Sequence, residues 1–250
     1  MRSNSHRPRK RFGQHFLHDP RVLARLVESI NPSREDFIVE IGPGEGALTG
    51  PLLQKLGKME AIEIDRDLAS RLAAEFPPPR LTVHCADALE YDFTRFPAGV
   101  RIVGNLPYNI STPLLFHLAR YAQRTRDLHF MLQLEVVERM VAAPSTAAYG
   151  RLSVALQTRF RMKKLFNVSK GAFRPPPKVD SAVVRLIPLD EKREVEDAKF
   201  DDLLRRAFSA RRKTLRNALP DVDFAALGID AGLRPENLSP ADYLRIASAG

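Results

Sequence analysis

Short apolar runs alternate with amphipathic stretches along the first 190 residues of the chain. A bounded apolar run predicts a buried strand, and apolar positions three and four residues apart predict a helix. Strands that alternate with helices are typical of an α/β fold with a mainly parallel sheet. The pattern predicts strands at residues 37–41, 59–65, 81–84, 100–104, 128–134 and 182–187.

Capping residues predict where several helices begin and end. Asp19 followed by Pro20 predicts a helix start, and the apolar spacing after it predicts a helix that ends near Asn31. Thr112 and Pro113 predict a helix start in the same way. Further helices are predicted at residues 113–121, 135–142, from 149 onward and at 200–208.

A nearly all-charged segment, residues 190–199, indicates a domain boundary. We therefore predict a first domain at residues 1–189 and a small all-helical domain at residues 190–250. Residues 1–11 are rich in Arg and Lys and are predicted to form a flexible basic arm.

The chain carries more positive than negative charge. Lys and Arg total 39 against 30 for Asp and Glu, a net charge of +9, which favours a polyanionic partner such as nucleic acid. A generally basic soluble protein is the alternative interpretation. The basic residues cluster at Arg7, Arg9, Lys10 and Arg11, at Arg159, Arg161, Lys163 and Lys164, and at Arg211, Arg212, Lys213 and Arg216.

The single cysteine, Cys85, excludes an internal disulfide, and no metal-ligand cluster accompanies it. The sequence contains no apolar run long enough to span a membrane. We therefore expect a cytoplasmic protein that needs neither a metal nor a membrane.

A glycine-rich loop, residues 42–46, follows the first long strand. Strand, glycine loop and helix form the first unit of a nucleotide-binding α/β fold, but Pro43 removes a backbone donor, so the loop suits close packing on a small cofactor. Acidic residues end the next strand about 20 residues after Gly42, where such folds bind ribose hydroxyls. Of these we predict that Glu63 binds the ribose and that Asp65 caps the following helix.

Asp87 ends the third of these strands and is a candidate acceptor for the amine of a cofactor adenine. The alternative interpretation is that it only forms a turn.

The tetrapeptide Asn105-Leu106-Pro107-Tyr108 follows the fourth strand, where α/β sheets place their active sites. Asn105 offers an amide oxygen, and Pro107 favours an extended Leu106 whose carbonyl is a second acceptor. Tyr108 offers a flat face for stacking. These groups match the amino edge of a nucleobase, although an ordinary Pro-containing turn is the alternative.

Three consecutive prolines, residues 175–177, predict a stiff extended segment that holds Phe173 on one side. A proline-rich linker is the alternative interpretation. As a group, the motifs of this chain resemble those of the ribosomal RNA adenine dimethyltransferases, nearest to the bacterial enzymes that modify small-subunit RNA. The residues that carry the resemblance are 13–17, 39–44, 62–65, 87–89, 105–108, 149–154 and 173–181.

The resemblance implies a Rossmann-like, seven-stranded class I methyltransferase domain with a small helical C-terminal domain. It implies S-adenosylmethionine as methyl donor and two adjacent adenines near the 3′ end of 16S ribosomal RNA as acceptors, giving N6,N6-dimethyladenosine. The expected partner is ribosomal RNA or a pre-assembled 30S particle, with a role in small-subunit biogenesis, and a monomer is expected.

The resemblance also implies roles for individual residues. Many relatives carry Asn where His15 stands and Lys where Leu134 stands, so a side-chain contact from His15 is not implied. The implied cofactor-binding residues are His15, Leu17, Gly42, Glu63, Asp87 and Asn105. The implied catalytic residues are Asn105, Leu106, Pro107 and Tyr108, with Phe173 as a second ring that stacks on the target base.

Three other functions remain open at this point. A related methyltransferase of large-subunit RNA that confers antibiotic resistance shares the cofactor motifs. A DNA adenine methyltransferase usually has an acidic residue where Asn105 stands. An RNA-binding ribosome-assembly factor could use the basic clusters alone.

Overall fold

A mixed seven-stranded sheet flanked by helices dominates the computed structural model, which describes residues 15–190, 196–209 and 212–249. The predicted basic arm, Arg211 and half of the charged segment 190–199 lie outside the described residues. In the described parts of the chain, no helix is long and apolar enough to cross a membrane.

The strands of the main sheet are ordered β4-β3-β2-β5-β6-β9-β7. The first five run parallel, and β9 pairs antiparallel with β6. A separate antiparallel pair joins β1 to β8. The strands are β1 (Phe16–Leu17), β2 (Ile38–Ile41), β3 (Met59–Glu63), β4 (Leu81–Cys85), β5 (Val100–Asn105), β6 (Thr125–Gln133), β7 (Phe160–Val168), β8 (Phe173–Arg174) and β9 (Ser181–Pro188).

The predicted start of the first helix is confirmed, because Asp19 Oδ1 accepts hydrogen bonds from the backbone N–H groups of Arg21 and Val22 at 2.8 and 3.2 Å. The helices are α1 (Pro20–Ile30), α2 (Thr49–Leu56), α3 (Arg66–Glu75), α4 (Ser111–Ala119), α5 (Leu134–Met140), α6 (Arg151–Gln157), α7 (Asp197–Ala207), α8 (Leu215–Ala218) and α9 (Pro240–Ala249).

The predicted start of α4 is wrong by two residues. The helix begins at Ser111, whose hydroxyl donates to the Tyr108 carbonyl at 3.1 Å, and Thr112 does not cap it. Pro113 lies inside the first turn, where its missing N–H costs no helical hydrogen bond.

Strand β7 was not predicted from the pattern. Its buried residues, among them Phe166 and Val168, alternate with exposed Lys and Arg side chains, which interrupted the apolar run. It forms one edge of the sheet and completes the seven strands that the resemblance implied.

The chain reverses its direction of travel across the sheet at β2. Strand β3 lies on one side of β2 and β5 on the other, both parallel to it, so the carboxyl ends of all three face the same edge. Strand β2 is fully buried. Such a switch point opens a crevice at the carboxyl ends of the strands, and ligands of α/β proteins bind there.

A buried ion cluster ties together the amino ends of the central strands. Arg101, the second residue of β5, is 3% exposed and pairs with both oxygens of Asp127 at 2.8 and 3.0 Å. It also donates to Asp36 at 2.7 Å and to the Ile30 carbonyl at 2.6 Å, and Arg185 adds a second cation to Asp127 at 3.0 Å. Burial by itself raises the pKa of Asp127, but the two arginines outweigh it and hold that pKa below its usual value.

Contacts within the chain divide the described residues into two units. The first lies within Met1–Val137 and Lys163–Ile187, and the second within Glu138–Met162 and Pro188–Gly250. In the second unit, the Tyr149 hydroxyl donates to the Leu238 carbonyl at 2.9 Å. Residues 138–162, which we predicted in the first domain, thus group with the C-terminal helices, and the functional division at residues 189 and 190 stays a prediction.

Candidate active site

A cavity lies at the carboxyl ends of the central strands, within the first unit. It brings together residues that the sequence separates by more than 90 positions. The predicted site residues that line it are His15, Leu17, Gly42, Glu63, Asp87, Asn105, Leu106, Pro107 and Tyr108.

Asn105 reaches the cavity because β5 approaches β2 very closely. A Cβ atom on the preceding residue, Gly104, would lie 2.5 Å from the Ile41 carbonyl oxygen, so only glycine allows this approach. The Asn105 Nδ2 group donates to the His15 carbonyl at 3.0 Å. A carbonyl can only accept, so this bond fixes the orientation of the amide and leaves Oδ1 as an acceptor that no other described residue uses.

The Leu106 carbonyl is a second acceptor beside it. The Leu106 side chain is 1% exposed and its N–H donates to Met131, which holds the backbone in place. The next two carbonyls accept from Ile110 and from the Ser111 hydroxyl, whereas none of the described residues donates to the Leu106 carbonyl. The loop therefore presents two adjacent acceptors.

Tyr108 is held from two sides. Its hydroxyl shares a hydrogen bond of 2.6 Å with the Ser181 hydroxyl, and its ring centroid lies 5.6 Å from that of His15. Burial raises the pKa of Tyr108 by more than the Ser181 bond lowers it, so the phenol is neutral at physiological pH.

Glu63 ends β3 inside the cavity and is 4% exposed. Its two oxygens accept from the backbone N–H groups of Gly44 and Asp65 at 3.1 and 2.9 Å. Burial raises the pKa of Glu63, and these two bonds partly offset the rise. Each oxygen keeps a further lone pair, so the carboxylate can still receive hydroxyl donors.

Asp65 has the capping role that we predicted for it. It is the N-cap of α3, and its Oδ1 accepts from the Asp67 N–H at 3.0 Å. That prediction is confirmed.

The sequence left two interpretations of Asp87 open, a turn residue and an acceptor for an adenine amine, and the structure is compatible with both. One oxygen, Oδ1, closes a turn by accepting from the Leu89 N–H at 2.9 Å. The other oxygen has no partner among the described residues. The turn therefore orients the carboxylate and leaves one acceptor in the cavity.

Gly42 opens the glycine loop with a φ of +66°, a conformation that side chains disfavour. Its N–H donates to the Ile62 carbonyl at 2.9 Å and is not available to a phosphate. The packing of this loop on a cofactor stays a prediction.

Glu40 is a cavity residue that sequence reasoning missed. It is 2% exposed, lines the cavity, and accepts from the Thr49 hydroxyl at 2.6 Å. Burial, together with the charge of Glu63, raises the pKa of Glu40 to about 7. The sequence feature that could have identified Glu40 is its position as a carboxylate inside the otherwise apolar strand 38–41.

Replacing Glu40 by glutamine is expected to remove a pH-dependent loss of stability. An acid whose pKa is higher in the folded protein loses stability as pH rises, here between its ordinary value of 4.5 and about 7. Above that range, Glu40→Gln should unfold about 1–3 kcal/mol less easily than the wild type. Denaturant unfolding at pH 5 and pH 8 measures this, and Glu45→Gln, at a more exposed cavity residue, is the control. Equal pH profiles for wild type and Glu40→Gln would contradict the prediction.

Phe173 is the predicted site residue that does not line the cavity. It is 2% exposed and belongs to a core cluster with Leu17, Val168 and Val183. In register, it is paired with Leu17 across β1 and β8. Its ring packs in the core in this conformation, so a stacking role stays a prediction that requires the ring to move.

The cavity is acidic. Four carboxyl groups line it, and none of the described residues around it is Lys or Arg. Such a lining repels phosphate groups and attracts a cationic ligand. The acceptors at Glu63 and Asp87 fit the hydroxyl donors of a ribose and the amine donor of an adenine, so the residues present fit a positively charged adenosyl compound. The four carboxyl groups are those of Glu40, Glu45, Glu63 and Asp87.

Comparison with known protein families gives a match over nearly the whole chain. The family described as "Ribosomal RNA adenine dimethylase" matches residues 5–249. A curated protein of Thiobacillus denitrificans is 57% identical over 97% of this chain and 98% of its own length. One of Aromatoleum aromaticum is 54% identical over 98% of this chain and 95% of its own length. Both are named "Ribosomal RNA small subunit methyltransferase A".

Two solved structures share the fold over most of the chain. A dimethyladenosine transferase from Plasmodium falciparum has a TM-score of 0.79 and 28% identity, covering 93% of this chain and 96% of that protein. The 23S rRNA methyltransferase ErmE has a TM-score of 0.71 and 27% identity, covering 93% of this chain and 98% of that protein.

Proposed function

Because the chain belongs to the ribosomal RNA adenine dimethylase family, we propose that it methylates adenine N6 amines of small-subunit ribosomal RNA, with S-adenosylmethionine as donor. The Rossmann-like class I methyltransferase fold that we predicted is confirmed. We place the reaction at two adjacent adenines near the 3′ end of 16S RNA, in the cytoplasm, as a step in small-subunit biogenesis. The pair of acceptors beside an acidic cavity is the observation that carries this proposal.

The cofactor would be held by residues at the ends of three neighbouring strands. Glu63 would accept from the ribose hydroxyls, and the free oxygen of Asp87 from the adenine amine. The backbone of Gly42, with His15 and Leu17, would form the wall of this site. S-adenosylmethionine, when bound, supplies a methyl group on a positively charged sulfur, which the acidic lining favours.

The two acceptors account for how a poor nucleophile is activated. The lone pair of an adenine amine is delocalised into the ring. Asn105 Oδ1 and the Leu106 carbonyl would each accept one amine hydrogen, which favours the pyramidal form and aims the lone pair. As the nitrogen becomes cationic, the same oxygens stabilise the developing charge, and the proton can then leave to water. No side-chain base is required.

The target base must leave its stack to reach these acceptors, and Tyr108 offers one ring for it. We propose that Phe173 provides the second ring after moving out of the core. Pro107 supports this site from within the tetrapeptide by holding Leu106 extended.

Replacing Phe173 by leucine separates a stacking role from core packing. Leucine keeps an apolar side chain in the core but is smaller than phenylalanine, so stability should fall by only about 1–2 kcal/mol. If the ring stacks on the base, the affinity for RNA should fall by an amount worth about 1–3 kcal/mol, because leucine has no π-face. Methylation kinetics and thermal unfolding measure the two effects. Unchanged kinetics in a stable variant would assign Phe173 to the core alone.

The RNA-binding surface includes basic residues on the edge strand. Arg161 and Lys163 on β7 are exposed, and neither has an ion-pair partner among the described residues. Phosphate contacts of this kind make affinity fall with salt concentration. The basic arm and Arg211 of the other clusters lie outside the described residues.

Transfer of radiolabelled methyl groups tests the proposed function. The acceptors are small ribosomal subunits that lack the modification, large subunits, naked small-subunit RNA and duplex DNA. The expected product is dimethyladenosine in small-subunit RNA. Label only in large-subunit RNA would contradict the proposal and favour the methyltransferase of large-subunit RNA. The fold alone does not decide between the two, since the chain also shares it with the 23S rRNA methyltransferase ErmE. Label in DNA would favour a DNA methyltransferase.

A further inference from the structure

A short strap, His15–His18, joins the cofactor side of the cavity to the segment that carries Phe173. Within it, β1 pairs antiparallel with β8. The ladder extends at one end through the His18 N–H, which donates to the Ala172 carbonyl at 3.0 Å. At the other end it continues through a side chain, because His15 Nδ1 lies 2.7 Å from the Pro175 carbonyl oxygen.

His15 is bonded on two sides at once. Its imidazole contacts Pro175, and its own carbonyl accepts from Asn105 Nδ2 at 3.0 Å. The proline segment, residues 175–181, begins at Pro175 and ends at Ser181. Its far end is bonded to the same tetrapeptide as His15, since the Ser181 and Tyr108 hydroxyls share a hydrogen bond of 2.6 Å. The proline segment is therefore tied to the acceptor loop at both of its ends.

We propose that His15 is a positioning residue for methyl transfer, whose imidazole holds the strap so that its carbonyl orients the Asn105 amide. The inference rests on the proposed function of this site. A carbonyl accepts only, so Nδ1 carries the proton and donates to Pro175. Without this bond the strap can shift and the His15 carbonyl no longer fixes Asn105, so Oδ1 loses its direction toward the amine.

The effect is expected to be larger on the chemical step than on cofactor affinity. The side chain of His15 bonds to the proline segment, whereas Glu63 and Asp87 lie at the ends of β3 and β4 and do not contact it. His15→Ala should therefore lower kcat about five- to tenfold, the size of one net hydrogen bond. The dissociation constant for S-adenosylmethionine should rise by less than kcat falls, because Glu63 and Asp87 keep their bonds in this variant.

Two further variants separate positioning from packing. His15→Asn keeps a side-chain donor of similar reach and should restore most of kcat. His18→Ala removes an exposed imidazole from the same strap and should leave kcat unchanged. An unchanged kcat in His15→Ala would overturn the inference. So would a loss that His15→Asn does not restore and that follows a fall in melting temperature.

A spectroscopic measurement tests the same inference without the reaction. The side-chain amide protons of Asn105 should give separate NMR signals, one of them protected by the His15 carbonyl. In His15→Ala this protection should decrease, while His18→Ala retains it. Equal protection in all three proteins would overturn the inference. A wild type that shows the protection but methylates none of the acceptors would instead overturn the proposed function.

Discussion

Replacing Asn105 by alanine is expected to lower the rate of methyl transfer by about 10²–10³-fold, the usual effect of removing a group that stabilises charge in the transition state. The variant loses the Oδ1 acceptor and leaves the Leu106 carbonyl alone to bind the amine. The His15 carbonyl also loses its donor, but this bond is only partly buried, so its loss should cost little stability. We therefore expect the protein to fold and to bind RNA with nearly unchanged affinity.

Single-turnover methylation of small subunits, beside an RNA-binding titration, measures this prediction. Asn109→Ala removes a neighbouring amide that also lines the cavity and is the matched control, with a small expected effect. Full methylation by Asn105→Ala would contradict the assigned role. A cellular effect on ribosome assembly that persists in the inactive variant would show that binding alone serves that role.

Replacing Asp127 by alanine is expected to destabilise the protein by about 3–5 kcal/mol, because the buried Arg101 loses one of its two counter-charges and the acceptors of two guanidinium N–H groups. Asp127 is 1% exposed and bonds to Arg101 through both oxygens and to Arg185. Asp36 remains on the other side of Arg101 but cannot replace a bond to both guanidinium nitrogens.

Urea unfolding at pH 7 measures this loss. Arg126→Ala is the matched control, because it too breaks an ion pair, the one between Arg126 and Asp36. The Arg126 side chain is 63% exposed, so we expect a loss of stability of only about 0–1 kcal/mol. The pKa of Asp127 is lowered in the folded protein, so its contribution is present above about pH 4 and is lost as pH falls further. The difference between Asp127→Ala and wild type should shrink in acid. A loss no larger than that of the control would contradict the prediction.

The parallel strands and the first helix were predictable because local signals specify them. An Asp followed by Pro predicts the start of α1, and mainly apolar runs, each with one charged residue in it, predict β2 and β5. The edge strand β7 was not predicted, since three of its nine residues, Arg161, Lys163 and Lys164, are exposed and charged and interrupt the apolar pattern. The start of α4 was misplaced because the helix begins at Ser111, two residues before Pro113, with no side-chain cap to mark it in the sequence.

The part of the candidate site that the sequence predicted consists of residues at the ends of strands. Glu63, Asp87 and Asn105 each follow an apolar run, and parallel strands bring such ends together. What the sequence could not indicate is the bond from Asn105 to His15, 90 positions away, or the burial of Phe173. These depend on the pairing of β1 with β8, two strands too short to be detected by periodicity.

The basic edge strand has a second consequence, for solubility. An open strand edge is a template on which another chain can add by backbone pairing, and lysines along it oppose such stacking. β7 is an edge strand, and Arg161 and Lys163 on it are exposed. The charges that we propose to bind RNA phosphates would thus also oppose self-association of the protein. Neutralising these charges to test RNA binding should promote self-association. Light scattering should therefore be measured on every such variant together with its RNA-binding curve.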